Sequence, residues 1–360
     1  MSLSVGIVGL PNVGKSTLFN AILKRQIACV ANYPFATIEP NTGVVEVLDS
    51  RVDKLAELSH SAKKVYSTIT FIDIAGLVKG ASTGAGLGNK FLAHIREVDL
   101  ILLLLRDFED AEIIREGSIN PESDREVLLT ELKLKDLEIL SKVVDSKEIR
   151  KKGGSTPQGY YPNVLKKAVG VLDAGKLLAN GKWTKEELEE LQGFNLLTLK
   201  PILPVLNVSE DSIGFVPNGT NPDEMRSSRM KVSAKIEFEL SSLSTVDRNA
   251  YLTDLGLTEA PLDGVIRQAY KMLGLSTFLT TGEKESRAWK FKEGWNAQKC
   301  AGVIHSDFER LFIAVDVISY QKYIEAGSWG KAKEKGMARL EGKEYLVKDG
   351  DVVEFRVGRG

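Results

Sequence analysis

Cysteine and histidine are scarce in this 360-residue chain, and neither sign of charge prevails. The two cysteines, Cys29 and Cys300, lie far apart, and His60, His94 and His305 follow no metal-ligand spacing. That composition argues against a disulfide framework or a zinc site and points to a reducing cytosol. Lys and Arg number 48 against 49 Asp and Glu, a net charge of −1. No global field draws such a chain onto nucleic acid or an anionic membrane, so any such contact must be local, and DNA is not expected as a partner. The longest greasy run, Leu100 to Leu105, is too short to span a bilayer and reads as a buried parallel strand. Met1-Ser2-Leu3-Ser4-Val5 carries no basic n-region, so a cytoplasmic protein without a membrane partner is expected.

What is present starts at Gly9. Residues 9–16 read Gly-Leu-Pro-Asn-Val-Gly-Lys-Ser, directly after the apolar run Val5-Gly6-Ile7-Val8. This is a complete G-x-x-x-x-G-K-S phosphate loop between a strand signal and a helix signal. Backbone amides of such a loop, with the helix N-terminus behind them, form a concave anion site. Asn12, Val13, Gly14, Lys15, Ser16 and Thr17 are the expected phosphate-binding residues. Lys15 can reach β- and γ-phosphate oxygens, and the Ser16 hydroxyl can ligate Mg²⁺.

The length is enough for a large core and about two or three domains. Strand signals at 4–8, 43–48, 67–73 and 99–105 alternate with helix signals at 15–24, 51–60 and 88–97, which predicts a mostly parallel α/β sheet. Residues 119–199 read differently. Ser123-Asp124-Arg125-Glu126 has the form of a capping box, and Leu129, Leu132, Leu137, Leu140 and Val144 follow near helical spacing. Further helices are expected at 163–179 and 185–192, the last opened by Thr184-x-x-Glu187. The pattern fits a helical hairpin inserted into the α/β domain, either a structural insert or an interaction arm. Strands resume at 201–206 and 230–232, and a helix is expected at 262–273. From 276 the alternation of 288–291, 311–317 and 351–357, with helical residues at 297–302 and 321–326, predicts a small α+β module. The expected domains are therefore 1–118 with 200–275, 119–199, and 276–360.

Asp73-Ile74-Ala75-Gly76 closes the 67–73 strand. An aspartate there can hold a Mg²⁺-bound water, and the Gly76 amide can meet the γ-phosphate. Leu77 follows, where Ras-like switches place a water-orienting glutamine; leucine has no donor or acceptor. Either another group serves hydrolysis or the chain hardly hydrolyses. Thr37, in Asn32-Tyr33-Pro34-Phe35-Ala36-Thr37, is the candidate for a second hydroxyl on Mg²⁺, with an ordinary loop threonine as the alternative. Lys15, Thr37 and Gly76 are thus the candidate catalytic residues, and Ser16, Thr37 and Asp73 the candidate metal ligands. Gly80, Gly84, Gly86 and Gly88 suggest a mobile loop beside the phosphates.

The purine site carries the sharpest signal. A guanine-specific switch has Asn-Lys-x-Asp after its fifth strand; this chain has Asn207-Val208-Ser209-Glu210. The acid is one methylene longer and the packing lysine is valine, so paired guanine recognition is lost and adenine becomes plausible. Ser233-Ala234-Lys235 matches the last base-binding loop, with the Ser233 and Ala234 amides expected at the base edge.

Together these residues resemble the YchF/Obg-like ATPase family of P-loop proteins. The carrying motifs are 9–17, Asn32 to Asn41, Asp73 to Ser82 and Asn-x-x-Glu at 207–210. Ala301 to Phe308 and Asp349 to Val352 resemble the family's TGS module. The resemblance spans essentially the whole chain. It implies a Ras-like P-loop NTPase domain with a helical, coiled-coil hairpin insertion and a C-terminal β-grasp TGS domain. It further implies a slow cytosolic ATPase, with Mg²⁺ as cofactor, linked to the ribosome or ribosomal RNA. One departure stands out: Arg115 follows Ile113-Ile114 where the family often has a histidine proposed to assist hydrolysis. Arginine stays protonated and cannot act as that base. Asn12 is the residue type that in related switches helps hold K⁺, which makes K⁺ the second ion to test; a loop-stabilising asparagine is the alternative.

Two further readings stay open. Trp289, Lys290, Phe291, Lys292 and Trp295 mix aromatics with charge, as does Lys331-Ala332-Lys333-Glu334-Lys335 with Arg339, so a nucleotide-gated RNA or ribosome adaptor is one. Core aromatics between solvated lysines are the plainer account of the same residues. An Obg-type GTPase is the other.

Overall fold

The structure, a computed structural model, describes residues 3–30, 41–74, 93–109, 120–144, 162–213 and 230–358. Packing divides the chain into two units. One holds Met1–Lys24, Ile38–Gly43 and Thr70–Leu262; the other holds Arg25–Thr37, Val44–Ile69 and Asp263–Gly360.

The strands in chain order are β1 (Ser4–Val8), β2 (Thr42–Val47), β3 (Lys64–Val65), β4 (Ser67–Asp73), β5 (Leu100–Asp107), β6 (Ile202–Val208), β7 (Met230–Val232), β8 (Leu275–Thr281), β9 (Ser286–Lys292), β10 (Phe312–Ser319), β11 (Arg339–Glu341) and β12 (Asp351–Val357). The first sheet runs β2-β4-β1-β5-β6-β7. Its β4–β1, β1–β5, β5–β6 and β6–β7 pairs are parallel. Leu100 to Leu105 are buried to within 1 % of full occlusion, as a strand covered on both faces requires. The strand order reverses at β1, so the loop behind it opens at the carboxyl edge of the sheet, the usual place for a ligand in such a fold. That loop leads into α1 (Lys15–Val30).

The helical insert is built from α3 (Pro121–Val144), α4 (Pro162–Asp173) and α5 (Lys185–Gln192), after α2 (Ser50–Leu58) earlier in the chain. Leu140, Val164, Leu165, Ala168, Leu172, Leu178, Leu191 and Leu196 form its core. The Ser123 capping box expected at its start is displaced. Asn120 Oδ1 accepts from Glu122 N at 3.0 Å, and Pro121 takes the first helical position, where its missing N–H costs nothing. The helix expected to reach residue 179 stops at Asp173. Gly175 adopts φ +75°, and Lys176 N–H reaches back to Val171 O, a left-handed termination that closes the last turn. The Thr184–Glu187 box forms in both directions. Buried Asp136 on α3 accepts from Leu197 N, Thr198 N and Thr198 Oγ1 at 2.7–2.9 Å, tying the insert to the chain entering β6. Two short helices, α6 (Ala234–Leu240) and α7 (Thr245–Asp254), stand where the pattern of apolar residues singles out nothing. Helix α8 (Pro261–Met272) matches the expected 262–273 closely.

The second unit carries a sheet ordered β11-β10-β12-β8-β9-β3. The β8–β9 hairpin, β12 parallel to β8, and β10 antiparallel to β12, with α9 (Ala297–Ile304) between β9 and β10, make a β-grasp. Residues 44–69 pack in this unit. β3 pairs in parallel with β9, and Val52 and Leu55 of α2 share a core with Leu279, Ile318, Tyr323 and Val352. Position in the chain alone places that segment with the N-terminal strands.

Candidate nucleotide-binding site

The phosphate loop leaves β1 at Val8 and enters α1 at Lys15. Gly14 has φ +94°, a conformation L side chains rarely adopt, and a Cβ there would collide with the Asn207 Nδ2. Asn12, at φ +60°, supplies the other left-handed turn, which asparagine tolerates. Lys15 is buried. Its ammonium donates to Gly9 O at 3.0 Å and Leu10 O at 2.7 Å, so it lies along the inner wall of its own loop. Burial lowers its pKa, and the nearby Asp73 carboxylate opposes that shift. Asp73 closes β4, with its N–H on Asn41 O at 3.0 Å. Burial raises its carboxyl pKa, with Lys15 opposing. Its Oδ1 is enclosed and, among the described residues, has no hydrogen-bond partner. The Ser16 and Thr17 side chains are exposed. An unsatisfied carboxylate oxygen and an exposed hydroxyl beside a phosphate loop are hard oxygen donors, the set that fits Mg²⁺.

On the purine side, Asn207 closes β6 toward the loop. Its Nδ2 donates to Val13 O at 2.9 Å and its Oδ1 accepts from Ala234 N at 2.9 Å. It is 4 % exposed and couples the phosphate loop to the turn after β7. The Ala234 amide, expected at the base edge, donates to the Asn207 oxygen in this structure, which satisfies a buried acceptor. The Ser233 hydroxyl caps α6 by accepting from Ile236 N. Val208 is buried, and Glu210 opens a short 3₁₀ turn, Glu210–Ser212. The Glu210 Oε1 lies 2.6 Å from Lys235 Nζ. That pair, between the turn after β6 and the first turn of α6, has no signature in the sequence beyond opposite charge.

Thr37, Gly76, Leu77 and Arg115 lie outside the described residues, as do 31–40 and 75–92. In the second unit, the aromatic–basic cluster is only partly core: Trp289, Lys290 and Trp295 are half-buried and Lys292 is exposed. Phe291 is 2 % exposed and tilted against Phe278, and Trp289 stacks on Phe278. Lys290 Nζ donates to Thr68 O at 3.0 Å. Lys333 lies at 3.0 Å from Glu354 and 3.3 Å from Asp316, so its charge is met locally.

Two family models match the chain. Residues 4–148 match a family described as 50S ribosome-binding GTPase, and residues 275–358 match the YchF-GTPase C-terminal family, described as a protein of unknown function. A curated relative named Ribosome-binding ATPase YchF, from Bacillus subtilis (strain 168), is 44 % identical over 364 residues, covering 99 % of each chain. Its namesake from Mycoplasma genitalium is 46 % identical over 364 residues, covering 98 % of this chain and 99 % of its own. Among solved structures, the Schizosaccharomyces pombe YchF GTPase superposes with a TM-score of 0.85 at 33 % identity, covering 99 % of this chain and 98 % of its own.

Proposed function

The chain belongs to the YchF family, and from that premise we propose that it is an ATP-binding, slowly ATP-hydrolysing P-loop switch that acts in the cytoplasm on or with the ribosome. One observation carries the nucleotide reading: a glycine-turned loop with a buried lysine, near Asp73, whose Oδ1 has no hydrogen-bond partner among the described residues. In this reading residues 1–118 and 200–275 form the nucleotide-binding part, 119–199 the helical arm and 276–360 the β-grasp module.

A triphosphate entering the loop would draw Lys15 from the Gly9 and Leu10 carbonyls onto its β- and γ-oxygens, with the loop amides of 12–17 around it. Ser16, Asp73 and Thr37 would hold Mg²⁺, which neutralises charge on those phosphates. The Gly76 amide would meet the γ-phosphate. With Leu77 after it, no side chain there orients water, so turnover rests on positioning and electrostatics and is slow. Asn12 would help hold K⁺ as added positive charge. The Asn207 bridge sets the width of the purine site, and Val208, Glu210, Ser233 and Lys235 line it. The helical arm and β-grasp module would meet the ribosome or its RNA; no described helix is long and apolar enough to cross a membrane.

Calorimetric titration of ATP and GTP in Mg²⁺ tests the reading. ATP should bind more tightly, and Lys15→Ala should abolish its turnover. Three of the similar proteins and families carry GTPase in their names, which keeps GTP as the competing ligand; tighter GTP binding would reverse the purine assignment. Leu77 also favours a second reading, an adaptor whose hydrolysis is incidental. Ribosome co-sedimentation that follows a non-hydrolysable ATP analogue, with cellular function surviving loss of hydrolysis, would select it.

A further inference from the structure

Lys235 and Glu210 form an ion pair where a P-loop switch reads its base. Glu210 begins the turn after β6, and Lys235 is the second residue of α6. Both flank Asn207, whose amide holds Ala234, the neighbour of Lys235. The Lys235 Nζ lies 2.6 Å from Glu210 Oε1, with the lysine side chain 71 % exposed and the glutamate 41 %. Glu239, one turn further along α6, also adds to the field that keeps Lys235 charged.

We propose that Lys235 determines purine preference by holding Glu210, so that the carboxylate is withheld from guanine and adenine is left favoured. The proposal rests on the nucleotide reading above and deepens it. Guanine presents two donors on one edge, N1–H and the 2-amino group, and a carboxylate reads it by accepting both. Glu210 can do so only by sharing or leaving Lys235. Adenine carries neither of those donors, so its binding leaves the pair intact. The pair therefore opposes GTP alone. Because it is partly solvated, its effect is modest: breaking it should change relative affinity by about two- to five-fold, the range of an exposed ion pair. A pair that merely decorates the surface would leave the ratio of the two affinities untouched.

The test measures binding of non-hydrolysable ATP and GTP analogues in Mg²⁺, so turnover does not enter. Lys235→Met should raise GTP-analogue affinity relative to the ATP analogue by about two- to five-fold. Lys235→Arg, which keeps the charge, should retain the wild-type ratio. In the Glu210→Gln/Lys235→Met double variant the gain for GTP should vanish, because the acceptor it frees is gone. High salt should narrow the ratio in the wild type and leave it unchanged in Lys235→Met. An unchanged ratio in Lys235→Met, or the same shift in the double variant, would overturn the proposal. A wild-type chain that prefers GTP would sink the adenine reading instead, while the shift on removing Lys235 would still report the pair. A chain that binds neither analogue would end both.

Discussion

Val13 and Asn207, 194 residues apart in the chain, are joined by a buried hydrogen bond of 2.9 Å from the Asn207 Nδ2 to the Val13 carbonyl. The same side chain accepts from Ala234 N, so one amide aligns the phosphate loop with the turn after β7. Its neighbour Gly14 leaves no room for a Cβ beside that amide. The two halves of a nucleotide site are thereby held in one register.

Asn207→Ala should cost about 1–3 kcal/mol for each buried partner left unpaired. Asn207→Asp keeps the acceptor for Ala234 but sets a carboxylate oxygen against the Val13 carbonyl. Both variants should lose stability in urea denaturation and bind ATP more weakly in calorimetry. Wild-type affinity in the Asp variant would show that the bridge does not tune the site.

Lys15→Met should separate binding from stability. The ammonium is buried and burial lowers its pKa, so the apo protein gains little from that charge. The thermal midpoint should hold or rise, while ATP turnover falls by about 10²–10³-fold, the scale of one lost charge-stabilising donor. A collapse of the fold in this variant would mean that the Gly9 and Leu10 bonds are structural.

Asp73→Asn should weaken the dependence of nucleotide affinity on Mg²⁺. The wild type should bind a non-hydrolysable ATP analogue far better in Mg²⁺ than in chelator; in the variant the two titrations should converge. Equal Mg²⁺ dependence in both proteins would remove Asp73 from the metal site.

Cys300 carries a pH prediction. Its buried thiol is pushed up to about 12 from 9.0. Above pH 9 the unfolded thiol ionises while the folded one keeps its proton, so alkali favours the unfolded state. Stability should therefore fall between pH 9 and 12, by up to about 1.4 kcal/mol per pH unit from this group. Cys300→Ala should lose that part of the slope in parallel denaturation series. In a Cys29→Ser background, the remaining thiol should react with a disulfide reagent at pH 8 only on unfolding.

Much of this protein is legible in the linear chain because it rests on local rules. A glycine-rich turn between an apolar run and a helix signal reads as a phosphate loop, and six consecutive aliphatic residues at 100–105 read as a strand buried on both faces. Thr184 and Glu187 form their box because both partners lie within one turn. The Ser123 box does not form because Asn120, followed by Pro121, offers an equally good cap three residues earlier, and the chain uses one start.

Only the tertiary structure decided the rest. Which donor meets the Asn207 oxygen, which cation meets Glu210, and which sheet takes residues 64–65 depend on atoms brought together from distant stretches. Periodicity and propensity act over a few residues, so they fix what each segment becomes. The partner each buried polar atom finds is fixed by packing, because leaving it unpaired costs more than a local preference can offset.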